Sequence, residues 1–312
     1  MQSLYDIPAP AKLNLFLHIT GRRNDGYHLL QSVFMLIDWC DTLHFTLRSD
    51  GKISREDLSV ALPADDLCVR AARALQAATG CPQGVHISIE KSVPAQAGMG
   101  GGSSDAASTL LALNRLWKLH LPLSVLMEIG LRLGADVPFF LSGGHAWVEG
   151  IGERISPVAL PQSRWLVIKP AQGLETKLIF SDPSLKRDTN TATISGFAAN
   201  AFTSDGLQFG VNDLQPVAQK LCSGIGDALD WLASQGLKGR MTGSGSAVFA
   251  QVMQDASLAL GLQNGSDVNT QLNFAMQSLP KTCIARLCSS LDAHPLAGWA
   301  DSDGFAVGSV GC

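Results

Sequence analysis

Pro94–Ala107, PAQAGMGGGSSDAA, constrains this chain more than any other stretch, because its glycines lie between a segment patterned as a strand and one patterned as a helix. Gly98, Gly100, Gly101 and Gly102 remove Cβ atoms where a ligand would press against the backbone. Glycine also reaches positive φ freely, which lets successive N–H groups turn toward one point. Ser103 or Ser104 is expected to cap the helix, whose first free N–H groups and positive dipole end favour an anion. The run reads as a cradle for nucleotide phosphates.

The flanking patterns place this cradle. AKLNLFLHI alternates, with Ala11, Leu13, Leu15, Leu17 and Ile19 on one face and Lys12, Asn14, Phe16 and His18 on the other. That is a strand with an apolar core face and a face carrying Lys12 and Asn14 together. Thr42–Arg48 and Gly84–Lys91 alternate similarly. Between them a helix is expected, capped by Asp65 or Asp66, with Leu67, Ala71, Ala74, Leu75 and Ala78 at helical spacing and Gly80 as its stop. The helix after the glycine run carries Leu110, Leu111, Leu113 and Leu116, and another runs from a Ser124 cap to Leu133, ended by Gly134. SPVALPQS, Ser156–Ser163, separates two halves, after which RWLVIKP opens a new strand. A helix around Leu214–Ser234 then leads to RMTGSGSAVFAQV, a glycine turn running into a strand at Ala247–Val252. Helices and strands alternate irregularly, so α+β layers are expected in both halves rather than an all-parallel sheet. The polar run Gln263–Asn273 reads as a surface excursion, and the tail after Asp301 as poorly ordered.

Composition excludes several functions. A hydrophobic fraction of 46% against 16% charged marks a globular chain, and 312 residues suffice for two domains. A net charge of −4 with scattered Lys and Arg gives no nucleic-acid groove and no membrane-binding patch. No long apolar span and no basic, apolar leader is visible, so no membrane segment or signal peptide is expected. Seven cysteines at irregular spacing, without Cys-x-x-Cys, read as reduced, packed thiols of a cytoplasmic protein, and the histidines show no metal-ligand spacing. There is no G-x-x-x-x-G-K-[ST], no G-x-G-x-x-G with its later acid, no protein-kinase set and no G-x-S-x-G.

What remains is a glycine loop after a strand, an upstream Lys and Asn, a downstream Asp and a second glycine turn, TGSGS. This set resembles the GHMP kinase superfamily, the small-molecule kinases named after galacto-, homoserine, mevalonate and phosphomevalonate kinases. Pro10–His28, the triple glycine followed by SSDAA, GADVPFF (Gly134–Phe140), TKLIFSDP (Thr176–Pro183) and MTGSGSAVFA carry the resemblance. They are most similar to the branch acting on 4-diphosphocytidyl-2-C-methyl-D-erythritol. The similarity spans residues 7–252, with a weaker echo at Leu291–Leu296. It implies an α+β, two-domain fold with the active site in the interdomain cleft, an ATP-binding part at 1–158 and a second part at 159–312. It also implies phosphorylation of that substrate's tertiary 2-hydroxyl with ATP and Mg²⁺, in the non-mevalonate route to isoprenoid precursors, by a monomer or homodimer.

The same resemblance implies the residue roles. Asp136 would be the base at the hydroxyl, and Lys12 its partner; at ~4 Å and an effective dielectric of 20 such a pair interacts by about 4 kcal/mol. Gly98, Met99, Gly100, Gly101, Gly102, Ser103 and Ser104 would hold ATP. Asp105 would either favour the helix dipole or organise the Mg²⁺ shell, which otherwise falls to ATP and water. Tyr27 and His28 would recognise cytidine, with Asn14, Thr176, Phe180, Gly243, Ser244 and Gly245 on the substrate side. Two positions depart from the pattern. Gln96-Ala97 stands where relatives often carry further glycines, and Asp66 replaces an Asn implicated in holding adenine, so it lacks the amide donor. Two alternatives stay open: a kinase for mevalonate, homoserine or a sugar, against which Tyr27 and His28 argue, and a non-catalytic nucleotide-binding regulator, against which Lys12 and Asp136 argue.

Overall fold

The computed structural model describes residues 2–203, 206–252 and 268–301. A long hairpin sets its frame: β1 (Ser3–Arg22) and β2 (His28–Arg48) pair antiparallel from Arg22↔His28 at the turn to Ser3↔Thr46. With β1 along one edge of β2, the other edge is shared. β3 (Ile53–Asp57) runs parallel to β4 (Gly84–Glu90), which pairs with Thr42–Arg48. β5 (Ala146–Gly150) pairs with Leu30–Phe34 and carries β6 (Arg154–Pro157), completing a six-stranded sheet. α1 (Leu67–Thr79), α2 (Gly101–Leu116), α3 (Leu123–Leu133) and α4 (Val137–Ser142) bury their apolar sides against it in a core containing Phe45, Leu75, Leu110, Leu113 and Phe139. α1 starts and stops where its sequence signals predict: the Asp66 carboxylate accepts the Val69 N–H at 3.1 Å, and Gly80 ends it at φ 65°.

The chain changes sheet between Pro157 and Arg164. β7 (Arg164–Lys169) is followed by α5 (Thr176–Ser181), α6 (Ile194–Asn200), a short pair β8 (Phe202–Thr203) and β9 (Gly206–Leu207), then α7 (Gln215–Leu221) and α8 (Ser223–Ser234). β10 (Gly239–Met241), β11 (Val248–Val252), α9 (Val268–Met276) and β12 (Ile284–Ser289) complete the described chain. The second sheet has the order β10-β11-β7-β12, antiparallel throughout. Both halves are therefore α+β. Their sheets meet over a shared core, in which Leu13, Leu15 and Met35 of the first hairpin pack with Trp165, Val167 and Phe249 of the second sheet. Each such side chain, fully buried, contributes roughly 2 kcal/mol, so the cleft between the halves has fixed walls.

Several expectations need correction. The strict alternation of β1 fails: register shifts between Pro10 and Lys12 and between Asn14 and Leu17 bring Phe16 into the same core as Leu13 and Leu15. Both faces of this strand are buried, including Lys12 and Asn14. α3 starts two residues earlier than expected, with Pro122 at the cap instead of Ser124. The expected long helix at Leu214–Ser234 is two helices, broken where Cys222 is extended in Cys-Ser-Gly, residues of weak helix preference. Within the polar run, Val268 onward is helical and Leu272 is buried in the second core. Residues 253–267 and the tail after Asp301 lie outside the described residues.

Candidate active site

A cleft of about 1460 Å³ opens between the halves, bordered by β1, the start of α2, the start of α4 and the β10–β11 turn. Its floor is made by two glycine loops docked backbone to backbone. Ser246 N–H donates to Gln96 O at 3.0 Å, and Ala247 N–H to Ala97 O at 3.2 Å. Carbonyls make these contacts, so Gln96-Ala97 performs them without glycine, although Gln96 is held at φ 50°. A Cβ on Gly98 (φ 70°) would overlap the Thr242 carbonyl oxygen and lie 2.8 Å from Gly245 N. On the β1 side, Lys12 N–H donates to Met99 O at 3.0 Å. Gly100, at φ 73°, then turns the chain straight into α2 with no side-chain cap.

This corrects the expected serine cap. The helix begins at Gly101, which places Ser104 inside it, and the Ser104 hydroxyl donates to Pro10 O at 2.7 Å in full burial. Ser104 does not line the cleft, whereas Ser103 does. Without a cap, the N–H groups of the first turn stay open to a ligand. Met99 gives its side chain to the core between the halves and only its backbone to the loop.

Next to Gly100 stands the charged pair. Lys12 Nζ lies 3.8 Å from Asp136 Oδ2, with the Lys12 side chain 4% exposed and that of Asp136 33% exposed. Asp136 occupies the cap position of α4, yet its carboxylate caps nothing and turns to Lys12. Burial pulls the Lys12 ammonium below the usual lysine value, and Asp136 pushes it partly back. Asn14 is engaged inward: its Oδ1 accepts from Lys12, its Nδ2 donates to Ser32 Oγ at 2.9 Å, and its N–H donates to Thr242 Oγ1 at 2.9 Å. It lines the cleft and orients the lysine.

A second charged cluster went unread in the sequence. Lys91 Nζ bonds Asp41 and also Asp105 Oδ2, the latter at 2.5 Å, while Asp41 Oδ1 accepts the N–H groups of Ser92 and Val93 at 2.6 and 2.8 Å. The signal was available: once Thr42 pairs with Glu90, Asp41 and Lys91 are cross-strand neighbours. Burial pushes Asp105 up to about 8, with Lys91 opposing and Asp41 adding to the rise. Burial pulls Lys91 down, but its two carboxylate partners together hold it above the ordinary lysine value. A carboxyl raised in the fold favours the folded state most below its unfolded value of about 4, and this contribution falls as pH rises toward 8. Asp105→Asn keeps the shape of the protonated acid, so the melting temperature of the wild type should fall relative to the variant across that window. Parallel melting curves from pH 5 to pH 8 would refute the assignment.

The remaining nominated residues follow along the cleft. Thr176 Oγ1 and Ser244 Oγ share a hydrogen bond of 2.7 Å, joining the start of α5 to the late glycine turn. Beyond them the His28 and Phe180 rings lie 4.9 Å apart at 34°, and Tyr27 stands 60% exposed at the hairpin turn. Arg187, not anticipated from the sequence, donates to His28 Nε2 at 3.0 Å. At the opposite end, Leu67 reaches Gly102, and neighbouring Asp66 pairs with Arg55 at 2.7 Å besides capping α1. The cleft thus gathers Lys12, Asn14, Tyr27, His28, Asp66, Gly98–Ser103, Asp105, Asp136, Thr176, Phe180 and Gly243–Gly245. Among the described residues no group of three or more His, Cys, Asp or Glu could hold a metal ion, the described cysteines are free thiols, and no helix is long and apolar enough to cross a membrane.

Comparison with known proteins places this geometry. The model of the GHMP kinases N terminal domain matches residues 66–144, and that of the GHMP kinases C terminal domain matches residues 195–260. A 4-diphosphocytidyl-2-C-methyl-D-erythritol kinase of Albidiferax ferrireducens is 68% identical over 310 residues, covering 99% of this chain and 100% of its own. One from Polaromonas naphthalenivorans is 64% identical over 308 residues, covering 96% and 97%. A crystal structure of a 4-(cytidine 5'-diphospho)-2C-methyl-D-erythritol kinase superposes with a TM-score of 0.73 at 30% identity, over 93% of this chain and 99% of its own. A homoserine kinase from Cytophaga hutchinsonii, at 16% identity and a TM-score of 0.67 over 94% and 96%, shares the fold.

Proposed function

This chain belongs to the 4-diphosphocytidyl-2-C-methyl-D-erythritol kinase family of the GHMP kinases, and on that premise we propose that it transfers the γ-phosphoryl group of ATP to the 2-hydroxyl of that polyol. It is a small-molecule kinase. The observation that carries the finer reading is the Lys12–Asp136 pair, 3.8 Å apart, beside the uncapped start of α2. The open N–H groups of that helix grip the triphosphate. Asp136 accepts the proton of the crowded tertiary hydroxyl, and the Lys12 ammonium, aimed by Asn14, stabilises charge on the attacking oxygen. Phosphoryl transfer passes through a loose transition state, so holding the two reactants in line does most of the work.

Cytosine lies between Tyr27 and Phe180, with His28 at its edge, and the Thr176–Ser244 contact shapes the polyol side. Adenine takes the other end, against the apolar Leu62 and Leu67, because the Asp66 carboxylate is occupied by Arg55 and by α1. Mg²⁺ would be held by phosphate oxygens and water, on the side of the cleft where Asp105 lines the start of α2. When bound, it neutralises charge on the phosphates. On this reading residues 1–158 bind ATP, residues 159–312 complete the substrate side, and the enzyme works in the cytoplasm.

Incubation of the purified protein with MgATP and the cytidylyl polyol should yield product with one added phosphate by mass, while ATP without acceptor is hydrolysed slowly. Phosphorylation of mevalonate, homoserine or a sugar in preference would overturn the substrate assignment. Tight ATP binding with no transfer to any alcohol would favour a regulator instead.

A further inference from the structure

We infer that Arg187 is a positioning residue that fixes His28 as its Nδ1–H tautomer, so that the base end of the cleft offers a ring N–H donor and selects cytosine over uracil. The inference rests on reading that end of the cleft as the base subsite. Arg187 Nε donates to His28 Nε2 at 3.0 Å. A guanidinium stays protonated and only donates, so Nε2 must present a lone pair and the ring hydrogen must sit on Nδ1. That Nδ1 has no protein partner among the described residues, and the ring lines the cleft.

The arginine is itself held in place. Its Nη1 donates to Leu185 O at 2.8 Å, and its Nη2 to Phe180 O at 3.1 Å and Asp182 O at 2.8 Å. One guanidinium therefore ties the His28 ring, at the start of β2, to the backbone of the segment that carries Phe180. Burial lowers the His28 pKa, and the charged groups acting on the ring, Arg187 and Arg22 from β1, are both cations that lower it further. The ring stays neutral as well as oriented. Cytosine carries a bare ring nitrogen at N3, which accepts from an N–H donor, whereas uracil carries N3–H and would set two donors against each other. A donor-only atom at this place discriminates by an unpaired hydrogen bond, for which roughly tenfold is the expected scale.

Two measurements test this. In ¹⁵N NMR, His28 of the wild type should be protonated at Nδ1 and bare at Nε2 at neutral pH. In Arg187→Gln it should populate both tautomers and titrate nearer the ordinary value of about 6.5. A wild-type ring protonated at Nε2 would overturn the inference. In calorimetry, the wild type should bind cytidine diphosphate about tenfold tighter than uridine diphosphate, and Arg187→Gln should lose most of that preference. Arg187→Lys, which still donates to Nε2, should restore it. If Arg187→Gln merely loosens the loop, both affinities fall with their ratio intact, and the inference fails. Absence of binding by either nucleotide refutes the base-subsite reading and the selection with it, while the NMR tautomer remains a separate result on Arg187.

Discussion

Asp136→Ala should lower kcat by about 10²–10⁴, the range a positioned general base supplies, while ATP binds with unchanged affinity. The expectation follows from where the carboxylate points. Asp136 holds the cap position of α4 without making a cap bond, so its removal costs the helix little. Its partner is Lys12 Nζ at 3.8 Å, and it is the more exposed member of the pair, open to an acceptor in the cleft. The variant should also alter Lys12. Burial already depresses that ammonium and Asp136 raises it, so without Asp136 the lysine loses its proton at lower pH. Residual activity should then fall away earlier on the alkaline side than in the wild type. Because both residues serve one step, Lys12→Met combined with Asp136→Ala should cost little more than the worse single change. An unchanged kcat in Asp136→Ala would remove this residue from the chemistry.

Gly98→Ala should destabilise the protein by about 3 kcal/mol and weaken ATP binding more than tenfold. The position combines a left-handed backbone, φ 70°, with backbone atoms of Thr242 and Gly245 packed where a Cβ would go. The left-handed conformation alone costs an L-residue roughly 1–2 kcal/mol. The remainder comes from parting two loops that fit because neither Gly98 nor Gly243 has a side chain; a Cβ on Gly243 would lie 2.6 Å from Gly98 O. Gly102→Ala is the control. Its Cβ would meet Leu67 Cδ1 at 3.5 Å, an ordinary contact, within the first turn of α2. Thermal unfolding of both variants decides the matter, and equal destabilisation would show that loop docking is not what Gly98 provides.

Much of the site was legible because local rules govern it. The signals of α1, the strand-loop-helix order around Gly98–Gly102 and the shared face of Lys12 and Asn14 follow from periodicity and backbone freedom over a few residues. The serine cap was misread because the same rules rank serine above glycine, whereas Gly100 enters α2 directly and leaves Ser104 to bond Pro10. The Lys91 cluster required knowing which strands pair. Arg187 required knowing that the segment after α5 folds back over β2, which no local pattern encodes.

The amino-acid order by itself therefore determined which positions can turn, cap, alternate or carry charge, since those properties depend on a residue and its nearest neighbours. Only the tertiary structure decided that Thr242 closes over Gly98, that Asp41 and Asp105 share Lys91, and that Arg187 holds His28. Such contacts join residues far apart in the chain, and they form only where the packing of two sheets over one core brings their side chains within bonding distance.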